Sequence, residues 1–132
     1  MPEQDNLEAV RLFFERVLNA GDFESLRALS HPDVAIPQYS PGVEAFRRHL
    51  SELRDTFASP DYKLMDAVCE GEKVAVRFSV RARHAGKFMG VPATGRPLNL
   101  WGVMIFRFEA GSIAEFWSLV DAQGVLTQLR GA

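Results

Sequence analysis

The stretch Val74-Ala75-Val76-Arg77-Phe78-Ser79-Val80-Arg81-Ala82-Arg83-His84 decides how this chain folds. Val74, Val76, Phe78, Val80 and Ala82 alternate with small or basic residues, the period of two expected of a half-buried strand. His84 ends the strand on the apolar parity, so its ring is aimed toward the core side. Arg77, Ser79, Arg81 and Arg83 share the other face, which is wet or meets a partner.

Downstream the same period continues. A Gly/Pro loop over Ala85–Arg96 leads to a strand over Leu98–Phe108, a turn at Glu109-Ala110-Gly111 and a strand over Ile113–Val120. Val125, Leu126 and Leu129 suit a short terminal helix or turn. Upstream, Glu70-Gly71-Glu72-Lys73 turns the chain back onto a strand over Tyr62–Cys69.

Before Pro60 the period is helical. Asp5-Asn6-Leu7-Glu8 reads as a capping box, followed by an apolar face of Leu7, Val10, Phe14, Val17 and Leu18 that Gly21 ends. A short helix is expected over Phe23–Leu29, a turn at His31-Pro32-Asp33, and a third helix from Ser40-Pro41. Val43, Phe46, Leu50, Leu53 and Phe57 mark its buried stripe, and Ser59-Pro60 stops it. Helices followed by an antiparallel meander predict an α+β fold, with the helices on one face of a curved sheet.

The composition fits one globular domain over residues 1–132, with 47% hydrophobic and 24% charged residues. A net charge of −2 with mixed signs gives no footprint for nucleic acid or an anionic membrane. No apolar run reaches the length of a membrane span, and the polar start Met1–Asp5 is unlike a signal peptide. Cys69 is alone, which excludes an internal disulfide and fits a reducing compartment. These features predict a cytoplasmic protein.

Little of the known catalytic vocabulary is present. There is no phosphate loop, no Gly-x-Ser-x-Gly elbow, and the three histidines are too dispersed for a metal site. Two side chains stand out. His84 reads equally as a proton relay or as a strand-end histidine bonded to the Gly86 loop. Asp121 shares a parity with Trp117 and Leu119. It is either a carboxylate beside an indole, with its pKa raised by desolvation, or a cap on the C-terminal turn near Gly124. Trp101 and Trp117 are candidate pocket walls, Tyr39 and Gln38 a candidate polar rim, and Arg47, Arg48 and Arg54 a solvated helix face.

The spacing His84-x-Gly86-x-Phe88-x-Gly90-Val91-Pro92-x-Thr94-Gly95-Arg96 carries a further signal. With it go Phe106-Arg107-Phe108-x-x-Gly111-x-Ile113-x-Glu115-x-Trp117 and Asp121-x-x-Gly124-Val125-Leu126-x-Gln128-Leu129. Together with Phe14, Gly21-Asp22 and Pro32-Asp33, these residues resemble the SnoaL-like polyketide cyclases, a branch of the nuclear transport factor 2-like superfamily. The resemblance implies a cone-shaped α+β fold enclosing a pocket between helices and sheet. It also implies an intramolecular aldol closure assisted by an aspartate and neighbouring histidines, without metal or organic cofactor, and a homodimer.

By that resemblance Asp121 and His84 are the catalytic candidates, and Trp101, Trp117, Met104, Phe116, Phe14, Tyr39 and Gln38 contact the substrate. The sequence departs from relatives at Pro37 and Phe116, where histidines are common, and at Met104, where an aspartate is common. The family's aspartate corresponds either to Asp121 or to the Met104 position. Two functions follow: a cofactor-free cyclase, isomerase or dehydratase acting on a mid-sized apolar carbonyl compound, or a non-catalytic module binding a small apolar ligand.

Overall fold

A computed structural model describes residues 2–37 and 39–130. The first helix, α1 (Pro2–Leu12), runs directly into a π-helical segment over Phe13–Asn19. It starts earlier than the capping-box reading places it, with proline in the first turn, where a missing N–H costs nothing. Asp5 is therefore a first-turn acid rather than the cap. After a turn come α2 (Ser25–Leu29), β1 (Ser30–Ala35), α3 (Val43–Thr56), β2 (Phe57–Glu70), β3 (Lys73–His84), β4 (Pro97–Glu109), β5 (Ser112–Val120) and α4 (Ala122–Arg130).

The five strands form one open sheet in the order β1-β5-β4-β3-β2. The meander β2 to β5 is antiparallel, as its turn signals predict. The fifth strand was not expected: His31-Pro32-Asp33 lies inside β1, which pairs parallel to β5. Proline is tolerated there because β1 is an edge strand and needs hydrogen bonds on one side only. Ser59-Pro60 likewise sits within β2, at a bulge between Ala58 and Asp61, so α3 ends at Thr56 and the strand begins at once.

Burial alternates along β3 and β4 without a break. The inner row of β3 ends in His84, and that of β4 runs Leu98, Leu100, Gly102, Met104, Phe106, Phe108. The N-terminal helices cover this concave face. Phe13 is their central contact, with ring centroids 5.9 Å from Phe46, 5.3 Å from Phe106 and 5.7 Å from Phe116. Truncating such a ring to alanine costs roughly 3–5 kcal/mol. Gly102 is where the sheet is tightest: a Cβ there would lie 2.3 Å from the Leu119 carbonyl oxygen and 2.9 Å from Phe78 Cζ.

Candidate functional site

The interior is largely apolar, and at one end β3 delivers His84. Its side chain is fully buried. Strand parity puts it inside, and the register sets it opposite Phe57, the first residue of β2. The loop after β3 folds back over the ring. His84 N–H bonds the Arg96 carbonyl at 2.9 Å, and Gly95 N–H bonds the His84 carbonyl at 2.8 Å. Ala85 and Gly86 donate to the Thr56 carbonyl at the end of α3. The Arg96 guanidinium donates to the Leu129 carbonyl of α4 at 3.2 Å, and Phe88 meets Phe57 edge-on at 5.2 Å.

These contacts fix the imidazole chemistry. Nδ1 lies 3.0 Å from Thr94 Oγ1 and accepts the Thr94 backbone N–H at 3.2 Å. The hydroxyl oxygen itself accepts from Arg96 N–H at 3.2 Å, which leaves its own hydrogen to point at the ring. A ring nitrogen that accepts carries no proton, so the neutral imidazole bears its hydrogen on Nε2. Nε2 is buried and has no hydrogen-bond partner among the described residues. A buried donor left unpaired costs about 1–3 kcal/mol.

Next to Phe57 lies a small void, about 10 Å³, lined by Leu50, Leu53, Arg54, Phe57, Tyr62 and residues of the first helical unit. That is room for roughly one water. Burial pushes the Tyr62 phenol up to about 12, against the pull of the Arg54 charge. Sequence reading missed both residues. Arg54 is half-buried and donates to the carbonyls of Leu18 and Asn19 at 2.7 and 3.2 Å. The signal was present, since Phe46, Leu50 and Arg54 follow one another at i+4 along the buried ridge.

The other expected site residues do not converge on His84. Met104 and Phe116 are buried on the inner face, but Met104 pairs with Val76, about 26 Å from His84 along β3 at ~3.3 Å per residue. Phe116 is further still, packed on Phe46 at 4.9 Å. Phe14 lies between Met104 and His84, 6.1 Å from Tyr62 and 6.2 Å from Phe78. Tyr39 is exposed and stacks on His49 at 3.9 Å on the outward side of α3, where burial lowers the His49 pKa against the raising effect of Glu52. Gln38 lies outside the described residues.

Trp101 and Trp117 are not interior walls. Both have outward parity and are 54% and 41% exposed. The Trp117 indole donates to Glu115 Oε2 at 3.1 Å, and Glu115 Oε1 accepts from Arg107 Nε at 3.0 Å. That bond to Arg107 holds the Glu115 carboxyl below its ordinary range.

Asp121 follows them outward and serves as the cap of α4. Its Oδ1 accepts Gly124 N–H at 3.0 Å, its carbonyl accepts Val125 N–H at 3.1 Å, and its own N–H bonds the Trp101 carbonyl at 3.2 Å. Of the two candidate positions for the family's aspartate, only Met104 faces the interior. The buried polar residues described are Asn6, Ser30 and His84, with no carboxylate among them. Among the described residues, no three His, Cys, Asp or Glu side chains converge to suit a metal ion, and no helix is long and apolar enough to cross a membrane.

Comparison with known proteins agrees with this fold. A family model described as SnoaL-like polyketide cyclase matches residues 8–129. Nogalonic acid methyl ester cyclase of Streptomyces nogalater is 29% identical over 118 residues, covering 84% of this chain and 87% of that one. The structure of IdmH from Streptomyces antibioticus is 30% identical, with a TM-score of 0.81 over 96% of this chain and 99% of the other. A SnoaL-like chain from Jannaschia Sp. CCS1 superposes with a TM-score of 0.87 at 22% identity, over 98% and 94% of the two chains.

Proposed function

Because the chain belongs to the SnoaL-like polyketide cyclase family, we propose that it is a cyclase-type enzyme that binds a mid-sized apolar carbonyl compound at the His84 end of its interior. The observation that carries this reading is the unpartnered, buried Nε2 of His84. A carbonyl oxygen placed against it receives a hydrogen bond that strengthens as the oxygen takes on enolate charge. The neighbouring C–H then loses its proton to water, and the enolate carbon adds to a second carbonyl carbon of the same molecule as that C=O π bond opens to an alkoxide. The alkoxide takes a proton back from the hydronium, so the ring closes with no net loss of atoms. Thr94 acts through His84, holding the tautomer that donates. Asp121 takes no part, being committed to the cap, and the scheme needs neither metal nor organic cofactor.

The void beside Phe57 has room for about one water, so entry of a mid-sized substrate displaces Phe57 and the Phe88 segment that covers it. A second reading, binding without chemistry, is favoured by one observation: no described carboxylate is buried in the interior. One experiment separates the two. Nogalonic acid methyl ester, the compound named for the relative, is titrated into protein with ¹⁵N-labelled imidazole, and ring-closed product is followed by chromatography. The enzyme reading expects a shift of Nε2 and product formation that falls at least about tenfold in His84→Gln. A shift without product supports the binder, and the absence of both removes His84 from either function.

The outer face completes the proposal. Trp101, Val103, Ile105, Trp117 and Leu119 form a contiguous exposed apolar patch on β4 and β5. Patches of more than a few hundred Å² mark interaction sites. We assign this face to a second copy of the chain. A two-fold axis along the strands lays the β3 row of Arg77, Arg81 and Arg83 over the partner's β5 side, where Asp121, level with Trp101 and Ser79, supplies opposite charge. An axis across the strands would stack arginine on arginine. The partners are thus a small apolar molecule and a second copy, acting in the cytoplasm, with neither nucleic acid nor membrane involved.

A further inference from the structure

We propose that Arg54 and Tyr62 form a subsite for the carboxylate of an otherwise apolar ligand, on the far side of Phe57 from His84. The inference rests on the His84 reading above and names what the other end of the ligand carries.

Arg54 is brought to the void by the α3 ridge and held there. Its two bonds to the Leu18 and Asn19 carbonyls fix the guanidinium, and Gly21 lies flat against it. With φ at +71°, a Cβ on Gly21 would sit 2.9 Å from Arg54 Cζ. Those two bonds leave further N–H groups unused, and the ion pairs formed among the described residues do not include Arg54.

Tyr62 enters the same void from the inner face of β2, its ring 5.7 Å from Phe78. It remains a protonated donor far above neutral pH. Everything else lining the void is aliphatic, aromatic or proline. A half-buried cation with spare donors beside an apolar void suits an anion, and its planar fork fits a carboxylate. The void of about 10 Å³ takes one oxygen, so the second carboxylate oxygen and the carbon occupy the space that Phe57 vacates. Phe57 lines the void and pairs across the sheet with His84, so a ligand that displaces the Phe57 ring spans the two ends.

The test compares anthraquinone-2-carboxylate with its methyl ester by calorimetry on the full chain, recording the His84 ring ¹⁵N signal in the same titration. The acid is expected to bind about tenfold tighter than the ester, the scale of a charge-assisted hydrogen bond. Arg54→Gln should abolish that preference and Tyr62→Phe should weaken it. Should Arg54→Gln not fold by circular dichroism, Arg54→Lys retains the charge without the fork, and the preference should shrink. Equal affinity for acid and ester, or a preference undiminished in a folded Arg54 variant, overturns the subsite. If the His84 signal still shifts in that case, the carbonyl site stands alone. If the acid preference holds with no His84 shift, the His84 reading fails and the subsite stands. Binding of neither compound overturns both.

Discussion

His84 and Thr94 are joined twice, by the hydroxyl at 3.0 Å and by the backbone N–H at 3.2 Å, both on the same ring nitrogen. Two donors on one acceptor leave a single tautomer. Long-range ¹H–¹⁵N spectra should therefore show a protonated Nε2 and a bare Nδ1. Thr94→Val removes one donor and keeps the other, so the tautomer should persist at a cost of about 1 kcal/mol. A protonated Nδ1 in the wild-type protein would contradict the assignment.

Gly102→Ala should be among the most damaging conservative changes in the sheet. The added methyl meets the Leu119 carbonyl, which is backbone and cannot swing aside, as well as the Phe78 ring. Overpacking of this kind costs roughly 1–3 kcal/mol. Urea unfolding midpoints measure it, and a change near zero would mean that β5 yields more easily than its pairing suggests.

Asp121 separates cap from catalyst. Asp121→Asn keeps an oxygen for Gly124 N–H and should leave both turnover and stability nearly unchanged. Asp121→Ala should cost about 1 kcal/mol, typical of a lost N-cap, with the loss concentrated in α4 by amide exchange. A hundredfold fall in turnover in Asp121→Asn would return the carboxylate to the mechanism.

Tyr62 makes stability sensitive to alkali. Its folded pKa, pushed up to about 12, lies above the ordinary value of 10.0, so between those values the native state binds more protons than the unfolded one. Stability contributed by the neutral phenol is full below pH 10 and is lost as pH rises through about 12. In a Tyr39→Phe background the phenolate absorbance should rise near the upper value, and Tyr62→Phe should flatten the alkaline decline. A step near pH 10 in folded protein would show that the phenol is not desolvated.

For the outer face, light scattering at tens of micromolar should return twice the chain mass. Leu119→Asp, at a position 66% exposed, should return the single-chain mass with unchanged circular dichroism. A wild-type monomer would leave the patch without its partner.

The sequence announced the meander because alternation of burial is a local property, and β3 and β4 follow it residue by residue. β1 was illegible for the opposite reason. Its parallel partner β5 lies about 80 residues away, and the exposed His31-Pro32-Asp33 within it carries turn chemistry. At the site, parity placed His84 inside. It also placed Trp117 and Asp121 on one face, but it cannot say which face of β5 is covered. Arg54 was overlooked because its charge suggested solvent, whereas the carbonyls that hold it belong to a segment some 35 residues earlier.

Two side-chain amides finish backbones that have run out of strand. Asn19, at the end of the π-helical segment, bonds both the N–H and the carbonyl of Tyr62 on the edge strand β2. Gln128 does the same for Asn99 on β4, beyond the point where β5 has ended. Each amide stands in for a peptide unit of a neighbouring strand, and a foreign chain finds those donors and acceptors already taken. With Pro60 in one outer strand and Pro32 in the other, the sheet stays open in shape yet offers few places for fibrillar growth.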